Sequence, residues 1–351
     1  RQESSHAMEF TPLPGTLIAL EPLPGGAVTS AGVVNADPVR HAVETALRNA
    51  RAGRDNVCLA LTNTLIDARE LRLPPMPEGD IKAVIQFELR QLFGGLEDDE
   101  RLLDFAVVSE HEAQPASPKG GAAKEVLVVS VPRRVVYSYI TPLHEARIFP
   151  EIVDVGVFSL PLCIPRGGGV VYVHLGPDIT NLLLVQNGLY ELTRQVELAL
   201  TPLLEDSDAV SAAARRRAVA LVGSAGSVFN PSFPDGRLAH SPVLTEQRGG
   251  PGGKTAAEEA LEALTAWILE TLEFARVRRR AFTVNECAQS VVLSGPVATV
   301  PGVAALIEQR VGIPVVLAAP LSGDDGLDFP EGSTPAFALA AAMAYRGLTE
   351  L

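Results

Sequence analysis

The stretch Val170–Gln195, with the sequence VVYVHLGPDITNLLLVQNGLYELTRQ, decides the fold class of this chain. It contains three runs with the composition of β-strands: Val170–Leu175, Thr180–Gln186 and Leu189–Gln195. Between the second and third runs, Asn187-Gly188 is a strong signal for a two-residue hairpin turn. Three successive strands followed by alternating helices and short strands predict an α/β lobe built on a mixed sheet.

The rest of the chain extends this pattern into two lobes. After the hairpin we predict helices at Pro202–Arg217, Thr255–Arg280, Val303–Val311 and Pro335–Arg346, and strands at Ala218–Val222, Ser290–Ser294 and Pro314–Ala318. The first half repeats a similar order, beginning with a strand at Thr16–Glu21 and an extended piece at Ala27–Val34, and it carries an insertion at about 66–150. From the length of 351 residues we predict a disordered lead at 1–14, a first lobe at 15–165 and a second lobe at 166–351.

The composition indicates a folded acidic protein and argues against nucleic acid as a partner. Hydrophobic residues make up 47% of the chain, which is enough for a core in each lobe. The formal net charge of −13 produces a field that repels phosphate backbones. The one dense basic run, Arg276–Arg280, is interpreted as a favourable cationic end of the long helix rather than a phosphate site. That helix is predicted to bury Leu261, Leu264, Trp267, Ile268, Leu272 and Phe274.

Metal binding and membrane insertion have no support in the sequence. Cys58, Cys163 and Cys287 stand alone, without the spacing of a metal site. No apolar run is long enough to span a bilayer, so we expect no direct membrane span.

One stretch imitates a phosphate-binding loop. Gly249–Thr255 ends in Gly-Lys-Thr, but Arg248 stands where the first glycine is required, and no apolar strand leads into it. We interpret it as a loop before the long helix. Thr255 is the predicted N-cap, and Glu258 completes a capping box.

Several motifs, in order, resemble the type IV pilus assembly PilM family of actin-like proteins. In the insertion, Leu73-Pro74-Pro75-Met76-Pro77, Ala83–Arg90 and Leu102–Phe105 are similar to the family's LP-x-MP, FE and DF segments. Asp154–Phe158, Glu270–Phe274 and Pro335–Ala340 are similar to its returning strand, long helix and closing helix. The resemblance covers most of the chain from about Ile18. It implies an α/β, actin-like (ribonuclease H-like) two-lobed fold with an inserted α/β subdomain in the first lobe.

The resemblance also implies where a nucleotide site would lie. Actin-like ATPases hold ATP between their lobes against two phosphate turns and an adenosine loop. The matching positions here are His174, Gly176 and Thr180 for the second turn, Glu273 on the long helix, and Gly295 and Gly302 for the adenosine loop.

The resemblance implies that this nucleotide site is degenerate. His174 replaces the aspartate that helps to hold Mg²⁺, and a neutral imidazole is a poor ligand for that hard cation. Pro296 removes an N–H and adds bulk in the adenosine loop. No Asp/Glu-x-Gly turn precedes the Pro22–Gly26 segment. We therefore expect a degenerate nucleotide site with no catalytic residue, metal or cofactor, and residual binding of ATP and Mg²⁺ is the alternative.

The function implied by the resemblance is that of a scaffold. PilM-type proteins lie in the cytoplasm at the inner face of the cytoplasmic membrane, hold a short N-terminal peptide of a PilN-like inner-membrane protein, and couple to the assembly motor ATPase. The candidate groove residues, on the predicted helix Glu78–Phe93, are Ile85, Glu88, Leu89, Leu92 and Phe93. Ordinary core packing is the competing interpretation of each, and self-association is left open.

Two other functions compete with a PilM-like scaffold. An active actin-fold ATPase or small-molecule kinase would use Asp154 as its surviving cleft acid; the competing interpretation of Asp154 is a strand-end residue facing solvent. The division protein FtsA and the cytoplasmic part of the secretion protein GspL share the fold, but the insertion motif favours PilM.

Overall fold

The computed structural model contains two α/β lobes and an inserted subdomain. It describes residues 19, 21–74, 76–92, 100–111, 123–164, 167–206, 255–318 and 334–350. Its strands are β1 (Val28–Thr29), β2 (Gly32–Val33), β3 (Val57–Leu61), β4 (Asp67–Leu73), β5 (Arg101–His111), β6 (Ala123–Pro132), β7 (Pro150–Val155), β8 (Gly169–Leu175), β9 (Ile179–Gln186), β10 (Leu189–Glu197), β11 (Ser290–Ser294) and β12 (Val315–Leu317). Its helices are α1 (Ala36–Asn49), α2 (Glu78–Leu92), α3 (Arg133–Glu145), α4 (Leu160–Cys163), α5 (Thr201–Glu205), α6 (Ala256–Arg279), α7 (Val303–Val311) and α8 (Thr334–Glu350), with 3₁₀ turns at Gly156–Ser159, Val284–Glu286 and Pro296–Thr299.

The second lobe is built on a five-stranded sheet in the order β10-β9-β8-β11-β12. β8, β9 and β10 are antiparallel neighbours, whereas β11 runs parallel to both β8 and β12. The hairpin between β9 and β10 turns at Asn187 and Gly188, with φ of 51° and 84°. Two successive positive φ values are what the Asn-Gly pair provides at low cost, so the predicted turn is present.

A hydrophobic core on one face of this sheet joins it to α6 and α7. Leu182 and Leu293 of the sheet pack with Leu264 and Ile268 of α6 and with Ile307 of α7. α6 begins with the predicted capping box, because Glu258 N–H donates to Thr255 Oγ1 at 3.2 Å and Thr255 N–H donates to the Glu258 carboxylate at 3.1 Å. The prediction that Phe274 is buried is wrong. Its ring is 45% exposed and lies under the Arg194 guanidinium, 4.5 Å from the ring centroid.

In the first lobe, β3 and β7 pair in parallel. α1 and α3 cover one face of this pair, where Leu143, Ala146 and Ile148 form a small core with Leu47 and Leu59. The extended piece predicted at Ala27–Val34 is instead the tight hairpin of β1 and β2, which turns at Ser30 and Ala31 and pairs Thr29 with Gly32.

The predicted strand Thr16–Glu21 lies mostly outside the described residues. Ala19 and Glu21, which are described, are not in a strand. The predicted strand Ala218–Val222 and most of the predicted helix Pro202–Arg217 also lie outside the described residues.

The inserted subdomain is a three-stranded antiparallel sheet, in the order β4-β6-β5, with α2 on one face. Its core consists of apolar side chains from the sheet and from the inner face of the helix: Leu73, Ile81, Ile85, Val126 and Val128.

The basic run at the end of α6 joins this subdomain to the second lobe. Arg278 donates to the Glu70 carboxylate of β4 at 2.8 Å and to the Glu191 carbonyl of β10 at 3.1 Å. Arg279 forms an ion pair with the Glu191 carboxylate at 3.1 Å. Burial raises the pKa of Glu70 and of Glu191, while the guanidinium groups lower both. The interpretation of the basic run as only a cationic helix end is therefore incomplete. Arg278 and Arg279 also bind the carboxylates of Glu70 and Glu191, which lie on β4 and β10.

We predict that Arg278→Met lowers the free energy of unfolding by about 1 kcal/mol at pH 7, since both partners are partly exposed and screened by water. The loss should shrink towards pH 4.5. Without the arginine, the pKa of Glu70 in the folded protein rises further. As the pH falls, the Glu70 carboxylate is therefore protonated in the folded variant, and the cost of its unpaired charge disappears. Urea unfolding at both pH values measures this. Arg134→Met, at an exposed position of α3, is the control, and equal losses at the two pH values would contradict the prediction.

Candidate functional site: the cleft between the lobes

A cavity of about 920 Å³ lies between the lobes, alongside α8. On the first-lobe side, the cavity is lined by Glu151 at the start of β7 and by three alternate residues of β3 and its leading end, Asn56, Cys58 and Ala60. Its second-lobe wall lies at the ends of β8 and β11. The described residues that line it are Asn56, Cys58, Ala60, Glu151, His174, Pro296, Ala336, Leu339, Ala340, Met343, Ala344 and Gly347. Most of them are small or apolar, and none of them is a lysine or an arginine.

A row of buried polar side chains crosses the second-lobe sheet at one end of this cavity. Strand register places Asn181 of β9 beside His174 of β8, and Ser294 of β11 on the other side of His174. Ser294 Oγ lies 3.3 Å from the Val173 carbonyl, to which it donates, and 3.2 Å from His174 Nδ1. Because Ser294 uses its one proton on that carbonyl, Nδ1 of His174 donates to Oγ, and Nε2 is left as an acceptor.

This row is neutral at physiological pH. Burial lowers the pKa of His174 from its ordinary 6.5 to about 4, because water is excluded from the charged imidazolium. Asn181 is 1% exposed, and neither polar atom of its amide has a hydrogen-bond partner among the described residues. Across the part of the chain that the structure describes, no group of three His, Cys, Asp or Glu side chains is placed to hold a metal ion.

Gly176 and Gly295 are explained by close backbone packing within the second lobe. A Cβ at Gly295, whose φ is 92°, would lie 2.4 Å from the Leu175 carbonyl oxygen. A Cβ at Gly176 would lie 2.6 Å from the Ile179 carbonyl oxygen, which accepts the Gly176 N–H. Gly302 precedes α7 with a φ of 95°, a conformation that favours glycine. These three glycines keep the turns in shape whether or not a ligand is bound.

Thr180 and Glu273 do not join the row. Thr180 alternates with Asn181 and therefore faces the core under α6, where its Oγ1 has no hydrogen-bond partner among the described residues. Glu273 lies on α6, and Arg276 binds it at 2.5 Å. The Arg276 hydrogen bonds lower the pKa of Glu273. The structure thus brings His174 together with Gly176 and Gly295 and leaves Glu273 outside the cavity lining.

Asp154 is not a solvent-facing strand end. Its carboxylate, 19% exposed, forms an ion pair with Arg346 of α8. This ion pair fixes α8 on β7.

The candidate groove residues on α2 differ in burial, and only some of them are described by the structure. Ile85 is fully buried in the core of the inserted subdomain, so its assignment to a groove wall is wrong and core packing explains it. Glu88 is half-buried. The side chains of Leu89 and Leu92, and all of Phe93, lie outside the described residues.

Sequence reasoning missed three features of the cleft. Asn181 and Ser294 complete the polar row, and the alanine face of α8 lines the cavity. The signal for Asn181 was its position at the start of the apolar run Leu182–Val185, because an amide inside a buried strand needs an explanation.

Comparison with solved structures shows the fold. A chain of the PilM-PilN type IV pilus biogenesis complex matches with a TM-score of 0.68 at 18% identity, covering 95% of this chain and 91% of that chain. Two others match less closely: an archaeal actin homolog (TM-score 0.36, 14% identity, 93% and 79% covered) and a protein with actin-like ATPase fold and unknown function from Bacteroides thetaiotaomicron (TM-score 0.39, 9% identity, 89% and 83% covered). No protein-family model and no curated protein matches the sequence.

The chain has an actin-like fold. The match over 95% of this chain confirms the fold class expected from the motifs.

We predict that His174 makes this protein less stable in acid. The unfolded chain, with a pKa near 6.5, binds a proton at pH values where the buried imidazole stays neutral, so stability falls as pH drops from 7 towards 4. The loss at pH 4.5 should be about 2–3 kcal/mol. In His174→Gln this contribution should disappear, whereas His41→Gln, at an exposed position of α1, should retain it. Identical pH profiles of urea unfolding for the wild type and His174→Gln would refute the assignment.

Proposed function

We propose that this chain is a PilM-like scaffold of a type IV pilus or related assembly platform, which binds a short cytoplasmic peptide of a PilN-like inner-membrane protein. The observation that carries the proposal is the fold match over 95% of this chain to a chain of the PilM-PilN complex. The motifs of the insertion, from Leu73 to Phe105, point in the same direction.

The cleft chemistry supports a scaffold without an ATPase cycle. A magnesium nucleotide needs anionic oxygen ligands and cationic or N–H donors for its phosphates. The row beside the cavity instead offers a neutral imidazole, an amide and a hydroxyl, and the described lining contains no cationic side chain. Glu151, its one carboxylate, lies on the first-lobe wall at the exposed start of β7.

The proposed location is the cytoplasmic face of the inner membrane, with attachment through the partner. Within the described residues, no helix is both long and apolar enough to cross a bilayer. Coupling to the pilus motor ATPase and self-association belong to the same proposal and follow from the likeness to the PilM family.

The peptide site is proposed beside α2, without Ile85. Phe87 is 59% exposed on this helix, and Glu88 is half-buried next to it. An exposed aromatic ring and a partly exposed carboxylate on one helix suit a peptide with apolar and basic side chains. Glu88, Leu89, Leu92 and Phe93 remain the candidate residues.

The second candidate function is an ATPase or small-molecule kinase, favoured by the presence of a large cleft between two lobes. Its volume of about 920 Å³ is within the range of ligand pockets.

We expect the cytoplasmic N-terminal peptide of the PilN-like protein from the same genome to bind this chain, and Glu88→Arg to weaken that binding about tenfold by reversing the charge on this part of α2. Calorimetric titration measures both. Glu145→Arg, at an exposed position of α3, is the matched control. A peptide that gives no heat with the wild type would refute the proposed partner class.

We expect no heat when the chain is titrated with ATP and Mg²⁺ up to millimolar concentration, because the cleft lacks the groups that bind phosphate and metal. Micromolar binding would make the ATPase function the leading one. The peptide titration serves as the control for a properly folded sample.

A further inference from the structure

We propose that the outer side of α1 and α3 in the first lobe is a docking surface for an anionic phospholipid bilayer. This surface, called the basic face below, consists of the solvent sides of both helices and of the turns that follow them, residues 36–55 and 133–149. It would add a direct membrane contact to the attachment through a partner, and it depends neither on the α2 surface nor on the pilus function.

The two helices present one continuous face. Both cover the same side of the β3–β7 pair, so their solvent sides point away from that sheet together. Their last turns are neighbours, because Leu47 of α1 packs against Leu143 of α3 and against Ile148 in the turn that follows. Val57 at the start of β3 pairs with Pro150 at the start of β7. The turns that lead from the helices into these strands therefore meet at one end of the first lobe.

The basic face is positive in a chain that is acidic as a whole. It contains seven arginines and four carboxylates, a formal charge of +3, whereas the whole chain carries −13. Asp37, one of the four, forms an ion pair with Arg40 at 2.8 Å, and Glu21 at the border is held by Asn49 Nδ2 at 2.6 Å. Five arginines are exposed, and their side chains have no hydrogen bond or ion pair with another described residue: Arg48, Arg51, Arg54, Arg134 and Arg147.

Two of these arginines occupy backbone positions that glycine adopts at lower energy. Arg51 follows α1 and Arg147 follows α3 in the left-handed conformation, with φ of 50° and 58°. The Arg51 N–H donates to the Arg48 carbonyl at 3.1 Å, and the Arg147 N–H donates to the His144 carbonyl at 2.9 Å. The helix dipole offsets part of the backbone cost. The arrangement leaves both guanidinium groups exposed where the two turns meet.

Two exposed aromatic rings lie among the arginines. Tyr137 is 49% exposed on α3, and the Arg133 guanidinium lies 6.0 Å from its ring centroid. Phe149 is 61% exposed, and its ring packs against the ring of His144 with centroids 4.9 Å apart. Residues 137 and 144 are two helical turns apart, so both rings lie on one side of α3. At a bilayer surface, aromatic rings enter the interfacial layer while arginines contact lipid phosphates.

The spread of these groups favours a bilayer over other polyanions. The arginines are distributed along two helices of roughly 20 Å each, which suits a surface with diffuse negative charge. A stable protein interface buries about 800 Å² on each partner around an apolar centre, and two separate rings do not supply one. A nucleic-acid duplex offers the rings no apolar layer. Repulsion from the acidic remainder of the chain is screened beyond about 10 Å at 0.1 M salt, so the charge of the contacting face dominates.

The probe is a set of vesicles of phosphatidylglycerol and phosphatidylcholine in equal parts, with vesicles of phosphatidylcholine alone for comparison. We expect the full chain to sediment with the anionic vesicles at low salt and to be released as the salt concentration rises. With phosphatidylcholine alone it should stay in the supernatant. These vesicles contain no partner protein, so the result is independent of the peptide titration.

The decisive variant is the double substitution Arg51→Gly and Arg147→Gly. It should lower the affinity for anionic vesicles about thirtyfold, because each arginine near such a surface contributes about a factor of five. The free energy of unfolding in urea should not fall, because glycine suits both turns. Arg280→Gly is the matched control. Arg280 follows α6 in the second lobe with a φ of 56° and an N–H bond to the Val277 carbonyl, so the control removes the same charge from the same kind of turn and should leave the affinity unchanged.

Two further variants separate charge from apolar contact. Arg48→Glu, at an exposed position of α1, should weaken binding strongly at low salt and less at high salt. Phe149→Ser removes a ring and no charge, so it should lower the affinity about tenfold without changing its salt dependence.

Four results would overturn the proposal. The first is no sedimentation of the wild type with anionic vesicles at low salt. The second is an equal loss of affinity in Arg280→Gly, which would mean that net charge and not this face determines binding. The third is stronger binding of polyglutamate or duplex DNA than of the vesicles, which would assign the face to another polyanion. The fourth is self-association of the wild type in analytical ultracentrifugation that the double variant abolishes, which would assign the face to a second copy.

Discussion

The packing of α8 across both lobes is the interaction on which the rest of the structure depends. Arg346 holds Asp154 at the end of β7, and the Ser159 hydroxyl donates to Met343 Sδ at 3.1 Å. At the other end of the helix, the Pro335 carbonyl accepts the N–H of Gly295, which directly follows β11. One helix therefore fixes the first lobe and the end of the second-lobe sheet together, and the cavity exists because this helix bridges them.

The close approach of α8 to the first lobe explains why glycine occupies positions 156 and 347. A Cβ on Gly156 would lie 2.9 Å from the Leu339 side chain, and a Cβ on Gly347 would lie 2.6 Å from Cys58 Sγ. A larger residue at either position would move α8 and with it the cavity wall. Packing alone therefore requires Gly156, Gly347 and the ion pair between Asp154 and Arg346. Binding of Mg²⁺ has a separate requirement, anionic oxygen ligands, and the polar row contains none.

The sequence could predict what depends on local pattern. The Asn187-Gly188 hairpin and the Thr255 capping box follow from turn geometry and helix capping within a few residues. Partners far apart in sequence could not be found in this way. Asp154 meets Arg346, and Arg278 meets Glu70, only through the tertiary fold. Ile85 and Phe87 lie two residues apart on one helix with opposite burial, which depends on how α2 sits on its sheet.

The neutral row gives a physical reason why this end of the second-lobe sheet can pack without a metal ion. An aspartate at position 174 would be buried beside the Ser294 hydroxyl and would need a cation to offset its desolvation. A neutral histidine carries no such requirement and keeps the bond to Ser294 that ties β8 to β11. With histidine at position 174, the row therefore contains no buried charge that a metal ion would have to offset.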